Sequence, residues 1–195
     1  MKKFSVTISL DKYMQDRMDD QSFEDWIKNR GQIIEGRDLS ADSDEAKAEF
    51  TCYRNKDNEC YVPNFHIEQA LINGAMQVKS KVGTGRKSMT AHVAAFFEVV
   101  PEEIKIRNWD EPDKRTVVNG RTKSRVLKVR SRWNDLKLSF ELVVKNSNVV
   151  TDDMIFNKEN GIFYFAGSMF GIGSYRPQHK GKFGTFTVEK WKEVK

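Results

Sequence analysis

Residues 171–186 read Gly-Ile-Gly-Ser-Tyr-Arg-Pro-Gln-His-Lys-Gly-Lys-Phe-Gly-Thr-Phe. Gly171, Gly173, Gly181 and Gly184 stand among Arg176, His179, Lys180 and Lys182, and no carboxylate interrupts the run. Glycine lets another backbone or a phosphate come close to the main chain. Successive exposed N–H groups in such a loop form an anion-binding concavity, to which cationic side chains add long-range attraction. The same composition also describes an ordinary surface loop. What flanks the run therefore decides its meaning.

After it, Thr185–Trp191 reads as a closing strand with Phe186 and Val188 on the core face. Before it, Thr151-Asp152-Asp153 opens a helix whose apolar positions run from Met154 and Ile155 through Ile162, Phe163 and Phe165, with Gly161 as an interruption. Further upstream, Leu127, Val129, Ser131 and Trp133 alternate with Lys128, Arg130 and Arg132. Asn134-Asp135 reads as a turn, and Leu136, Leu138, Phe140, Leu142 and Val144 form the next alternating set. This predicts a hairpin with one core face and one polar face per strand. Ile67, Leu71, Ala75 and Val78 predict a helix over 65–79, capped by Asn64, with Ala70 and Gly74 small on the packed side. The apolar run Ala91–Val100 leads towards a strand near Ile104–Ile106, and Phe4–Leu10 alternates as a first strand. Stripped of insertions the order is βαββαβ. The fold expected is α+β, ferredoxin-like, with an antiparallel sheet, helices on one face and a large insertion after the first strand. A single domain spans 1–195, with an acidic insertion at 11–60, a basic loop at 79–90 and the glycine-rich loop at 169–185. The insertion is expected to hold a helix near Gln21–Lys28 and a short hairpin across Glu49–Val62.

Charge is unevenly placed. Residues 1–60 carry 14 acidic and 10 basic side chains, whereas 61–195 carry 14 acidic and 23 basic. Three acid-free basic segments stand out: Lys79, Lys81, Arg86 and Lys87; Arg115, Arg121, Lys123, Arg125, Lys128, Arg130 and Arg132; and the glycine-rich run. A strand with a cationic solvent face repels itself unless an anion lies on it, although lysine and arginine also protect edge strands from aggregation. Three such segments together point to a polyanion. No stretch reaches the roughly 18 apolar residues of a membrane span, and the first residues lack the apolar run of a signal peptide. The chain is expected to be cytoplasmic, with Cys52 and Cys60 reduced.

The glycine run resembles the signature of the RAMP superfamily of CRISPR-associated RNA-binding proteins and their phage and viral relatives. Gly171, Gly173, Gly181 and Gly184 match the family's glycines, with Ile172, Phe183 and Phe186 in its apolar slots. Tyr61-Val62-Pro63, followed by a helix with small residues at Ala70, Gly74 and Ala75, is similar to a second family element. Asn64 and Gln77 depart from that element's usual glycine and arginine. The resemblance implies guide-RNA-type binding and covers residues 61–195, leaving 11–60 outside it.

The expected activity is non-catalytic binding of single-stranded nucleic acid, RNA ahead of DNA. Lys79, Lys81, Arg86, Lys87, Arg121, Lys123, Arg125, Lys128, Arg130 and Arg132 would track phosphates. Gly171, Gly173, Gly181 and Gly184 would cradle backbone with Arg176, Lys180 and Lys182, while Tyr175 stacks a base. Trp133 shares the apolar phase of its strand and belongs with the core. Charge reversal at Arg130 and Arg176 is expected to abolish binding with little effect on stability. A metal-independent endoribonuclease using His179 or His66 is one alternative. Others are a phage-encoded protein that imitates a CRISPR backbone subunit, and self-association along nucleic acid. No cofactor is expected, and Cys52, Cys60 and His66 lack a zinc-type spacing. Gly83-Thr84-Gly85-Arg86-Lys87 lacks the spacing of a phosphate-binding P-loop.

Overall fold

A computed structural model describes residues 1–17, 33–34, 37–38, 43–78, 89–118 and 123–194. In chain order its elements are β1 (Lys2–Met14), β2 (Ile33–Ile34), β3 (Arg37–Asp38), α1 (Asp44–Phe50), β4 (Tyr61–Pro63), α2 (Asn64–Ala75), α3 (Met89–Phe96), β5 (Phe97–Val100), β6 (Glu103–Lys105), β7 (Glu111–Val118), β8 (Arg125–Val144), α4 (Asp152–Phe156), α5 (Ile162–Phe165) and β9 (Thr187–Val194). A π-helical turn at Ala166–Phe170 and a 3-10 turn at Pro177–His179 precede β9.

The main sheet runs β5-β8-β1-β9, every pair antiparallel, with β7 also paired to β8. Taking α2 and the α4–α5 segment as the two crossovers, β1, β5, β8 and β9 stand in the order of a ferredoxin-like βαββαβ unit. Its core face follows from the alternation: Phe4, Val6, Ile8 and Leu10 are buried against Leu136, Leu138, Phe140 and Leu142 of β8. The opposite face carries hydroxyls, with Thr7 bonded to Ser139 and Ser9 to Thr187. Phe156 stacks on Trp191 at 4.3 Å and meets Phe4 edge-on. The small side of α2 lets it lie directly on α5, because a Cβ at Gly74 would meet the Ile162 carbonyl at 2.5 Å. Thr151 caps α4 by accepting the Met154 N–H, the start signal read from the sequence.

Several expectations are corrected. The stretch across Asn134-Asp135 is not a turn: β8 is one strand of 20 residues, and its hairpin partner is β7. Both β1 and β8 switch their buried phase where Asp11 and Asp135 fall opposite one another. Asp135 takes a φ of 50° there. A phase switch shared by two paired strands leaves the register intact, so the chain turns its face without reversing direction. The first strand likewise runs four residues past Leu10, to Met14. Asn64 is the first residue of α2 rather than its cap, its side chain donating to the Val99 carbonyl, and Pro63 is the capping residue. The Ala91–Val100 run divides into the end of α3 and β5. The helix expected near Gln21–Lys28 lies outside the described residues.

Candidate nucleic-acid interface

Beyond the phase switch, β7 and β8 form an arm. Antiparallel register places Glu111 beside Arg132, Asp113 beside Arg130, Arg115 beside Lys128, and Val117 beside Val126, all on one face. The glycine-rich run packs against this face. Its backbone hooks onto the end of β1: Gly184 N–H donates to the Lys12 carbonyl and Ser174 N–H to the Met14 carbonyl. Tyr175 and Phe183 meet edge to face at 5.5 Å, and the Arg115 guanidinium lies 4.8 Å from the first ring centroid and 4.7 Å from the second. Cation–π contact and aromatic packing thus fasten loop to arm.

The glycines serve this packing. A Cβ on Gly181 would occupy the Tyr175 carbonyl, and one on Gly184, at φ +70°, would occupy the Ile172 carbonyl. The N–H groups of Gly171, Gly181 and Gly184 donate to Ala166, Arg176 and Lys12 carbonyls. Those three amides are therefore committed to the fold, which corrects the expectation that they cradle a phosphate. The sequence pattern identified close approach correctly, but the approaching group is the chain's own backbone.

A cavity of about 400 Å³ opens between loop, arm and α2, lined by Asp16, Tyr53, His66, Val117, Arg130, Gly173, Ser174, Tyr175, Arg176 and His179. Arg130 and Arg176, 46 positions apart, share its wall. Arg130 is buried, its Nε 2.9 Å from an Asp16 oxygen that also accepts from Lys128 at 3.0 Å. Arg132 pairs with Glu111 at 2.9 Å, and Asp113 accepts from Arg115 at 2.9 Å. The uncompensated basic sheet face expected from sequence is thus corrected: acids from β7 and from beyond β1 meet its cations.

Arg176 differs. It is half-buried, donates to the Gly173 carbonyl and to Gln178, and pairs with no carboxylate among the described residues. Burial holds its pKa below the usual guanidinium value. Its side chain lines the cavity. His66, at the start of α2, has its pKa pushed down to about 4, first by burial and then by the positive charge of Arg176. It is neutral at pH 7, and its buried Nδ1 finds no hydrogen-bond partner among the described residues. His179 is exposed at the cavity rim.

Tyr175 lies in the cavity wall but is half-buried with Arg115 against its ring, so it is not the free stacking surface expected. Trp133 is fully buried and donates to the Arg107 carbonyl. Lys123, Arg125, Lys180 and Lys182 are exposed, outside the cavity lining. Lys79, Lys81, Arg86, Lys87 and Arg121 lie outside the described residues. Asp16 and Tyr53 escaped the sequence reading. Both sit within or beside the acidic insertion, where no spacing signals a site. Fully buried Gln15 places Tyr53 by accepting its N–H at 2.7 Å while donating to the Tyr61 carbonyl.

Cys52 and Cys60 are buried free thiols with sulfurs 3.1 Å apart. No group of three or more metal-ligating side chains occurs among the described residues, and no helix there is long and apolar enough to cross a membrane.

No family model and no curated protein matches the chain. Among solved structures it is similar to a chain of the type III-B Cmr-beta complex determined by cryo-EM bound to cognate target RNA. The TM-score is 0.52 and the identity 12%, and the match covers all of this chain and 61% of the other. The molecule is a mixed α+β protein with an antiparallel ferredoxin-like sheet. The chain spans only about three-fifths of the length of that structural neighbour.

Proposed function

We propose that the protein binds single-stranded nucleic acid, RNA in preference to DNA, without cleaving it, through the cavity between the glycine-rich loop and the β7–β8 arm. The observation that carries this reading is Arg176: a half-buried cation without a carboxylate partner among the described residues, sharing a cavity with Arg130. The fold likeness to a chain from a complex bound to target RNA supports the same reading. Lys123, Arg125, Lys180 and Lys182 are further exposed cations, on β8 or just before it and in the glycine-rich run. Anisotropy titration of labelled single-stranded RNA, single-stranded DNA and duplex tests it. Affinity should follow that order and fall steeply with salt, as phosphate contacts require. RNA affinity no higher than duplex affinity contradicts the reading.

A second reading is favoured by the meeting of His66 and His179 in one cavity with two arginines. A neutral imidazole can accept the proton of a 2′-hydroxyl, a second can protonate the leaving oxygen, and the guanidiniums can stabilise the phosphorane charge. This endoribonuclease would cleave RNA in EDTA and lose that activity in His66→Ala and His179→Ala alike. Intact RNA after prolonged incubation leaves binding alone. An association with effector-type subunits rests on the fold likeness alone, and pull-down after nuclease treatment tests it.

A further inference from the structure

Two buried nucleophilic groups have no role in the cavity. Cys52 follows the cap of α1, Cys60 precedes β4, and both are almost wholly buried. A short hairpin joins them: Arg54 bridges to Cys60, Tyr61 N–H donates to the Tyr53 carbonyl, and Asn55 N–H donates to the Glu59 carbonyl. The hairpin brings the two sulfurs to 3.1 Å. Cysteines packed only as small apolar groups need no polar surroundings. These have them. Cys60 Sγ donates to Asn108 Oδ1 at 3.4 Å, and the same oxygen accepts from Arg54 Nη1 at 3.2 Å. Arg54 is fixed in turn by Glu49, which also accepts from Trp109. The hydrogen bond from Cys52, and then the Arg54 charge, hold the Cys60 thiol below its ordinary value against the opposing effect of burial. Burial pushes the Cys52 thiol up. The two sulfurs are thus unequal, one favoured as a thiolate and the other as its proton donor.

We propose that Cys52 and Cys60 are a redox pair, oxidised by hydrogen peroxide to a disulfide that staples the end of α1 to the start of β4 and reduced again by a dithiol. The Cys60 thiolate attacks one peroxide oxygen and the O–O bond breaks. The hydroxide released takes up the proton that the thiol had lost and leaves as water. Cys60 then carries a sulfenic acid. The Cys52 sulfur attacks the Cys60 sulfur, the S–O bond breaks, and the Cys52 proton leaves with the hydroxyl as a second water. Two thiols are oxidised and one peroxide is reduced. Closing the sulfurs from 3.1 Å to a bond of about 2 Å takes a shift of about 1 Å. Peroxide is close to water in size, and local opening of the exposed turn Lys56–Glu59, immediately before Cys60, admits it. Tyr53, in the cavity wall, lies between the two cysteines in sequence, so the disulfide fixes the backbone that carries it. Nothing in this chemistry depends on nucleic-acid binding.

The test treats the reduced full chain with hydrogen peroxide in native buffer, alkylates it after denaturation and digests it with trypsin. Cleavage after Arg54 and Lys56 separates the cysteines, so a disulfide appears in the mass spectrum as a linked pair of peptides. That pair should form within single chains and vanish with dithiothreitol. The melting temperature should rise by a few degrees on oxidation and return on reduction. In Cys52→Ser the sulfenic acid on Cys60 has no resolving thiol, so dimedone should trap it several-fold more than it traps Cys52 in Cys60→Ser. Melting curves of both variants report on folding, and where either fails to fold the unmodified protein decides alone. Thiols that stay alkylatable in native buffer and oxidise only in urea overturn the proposal, because the pair is then merely buried. So does a linked pair found only between chains. Equal trapping in the two folded serine variants overturns Cys60 as the attacking sulfur.

Discussion

At the scale of single residues, the cavity sets Arg176, which has no carboxylate partner among the described residues, beside Arg130, which Asp16 matches. Arg176→Glu should weaken RNA binding by more than tenfold, read by anisotropy. The fold should change little, because among the described residues that guanidinium holds only the Gly173 carbonyl and Gln178. Arg130 cannot be treated alike. Reversing its charge would leave a glutamate beside Asp16 in a buried position, and breaking a buried pair costs roughly 3–5 kcal/mol. A stability-neutral reversal is therefore expected for Arg176 only. Asp16→Asn removes a competing anion from Arg130 and Lys128 while keeping a hydrogen-bond acceptor. RNA affinity should rise several-fold and the melting temperature fall. An unchanged affinity would show that Asp16 orients those cations rather than competing for them. His66 supplies a pH test. Its folded pKa of about 4 lies below the unfolded value of about 6.5, so between these the unfolded chain takes up a proton that the folded chain refuses. Its contribution to stability is complete above about pH 6.5 and falls towards pH 4, by at most about 3 kcal/mol. Urea midpoints at pH 7 and pH 4.5 should therefore converge in His66→Gln relative to the unmodified protein.

Elements show why some local readings succeed and others fail. The helical spacing of Ile67, Leu71 and Ala75 was legible because burial on one side of α2 imposes it directly. The alternation of β8 was also legible on both sides of Asn134. What looked like a turn was the point where two paired strands exchange faces together, and only the partner strand reveals that. A polar Asn-Asp pair between two alternating runs is compatible with either arrangement. The glycine run was legible as a place of close approach, whereas the approaching group was not. Gly184→Ala should destabilise the protein by more than about 2 kcal/mol in urea unfolding, because φ is positive and the Ile172 carbonyl fills the space. Equal stability would mean that the loop can leave β1 without cost.

For the whole molecule, the consequence of the fold is convergence. The end of β1, the turn after α1, the start of α2, the arm and the glycine loop all contribute to one cavity from segments scattered between Asp16 and His179. Acids converge along with the bases, so net charge along the chain overstates how positive the arm is. Four cations, Arg115, Lys128, Arg130 and Arg132, pair with Asp16, Glu111 and Asp113, and Arg176 shares the cavity with Asp16 and Arg130. The salt dependence of RNA binding should accordingly correspond to only a few phosphate contacts, shallower than the full set of phosphate-tracking cations named from sequence implies. A slope as steep as the cation count would place the strand elsewhere, on the exposed lysines.

The alternation of β1 and β8, the small face of α2, the capping of α4 and the close approach at the glycine run were all written in the linear chain, because each depends on neighbours within a few positions or on a repeating period. Pairing of Asp16 with Arg130, the half-burial of Arg176, the neutrality of His66 and the placement of Tyr53 were decided by tertiary structure alone. Those properties depend on distance, burial and Coulomb interactions between residues far apart in sequence. Such interactions have no period or spacing to betray them until the sheet brings them together.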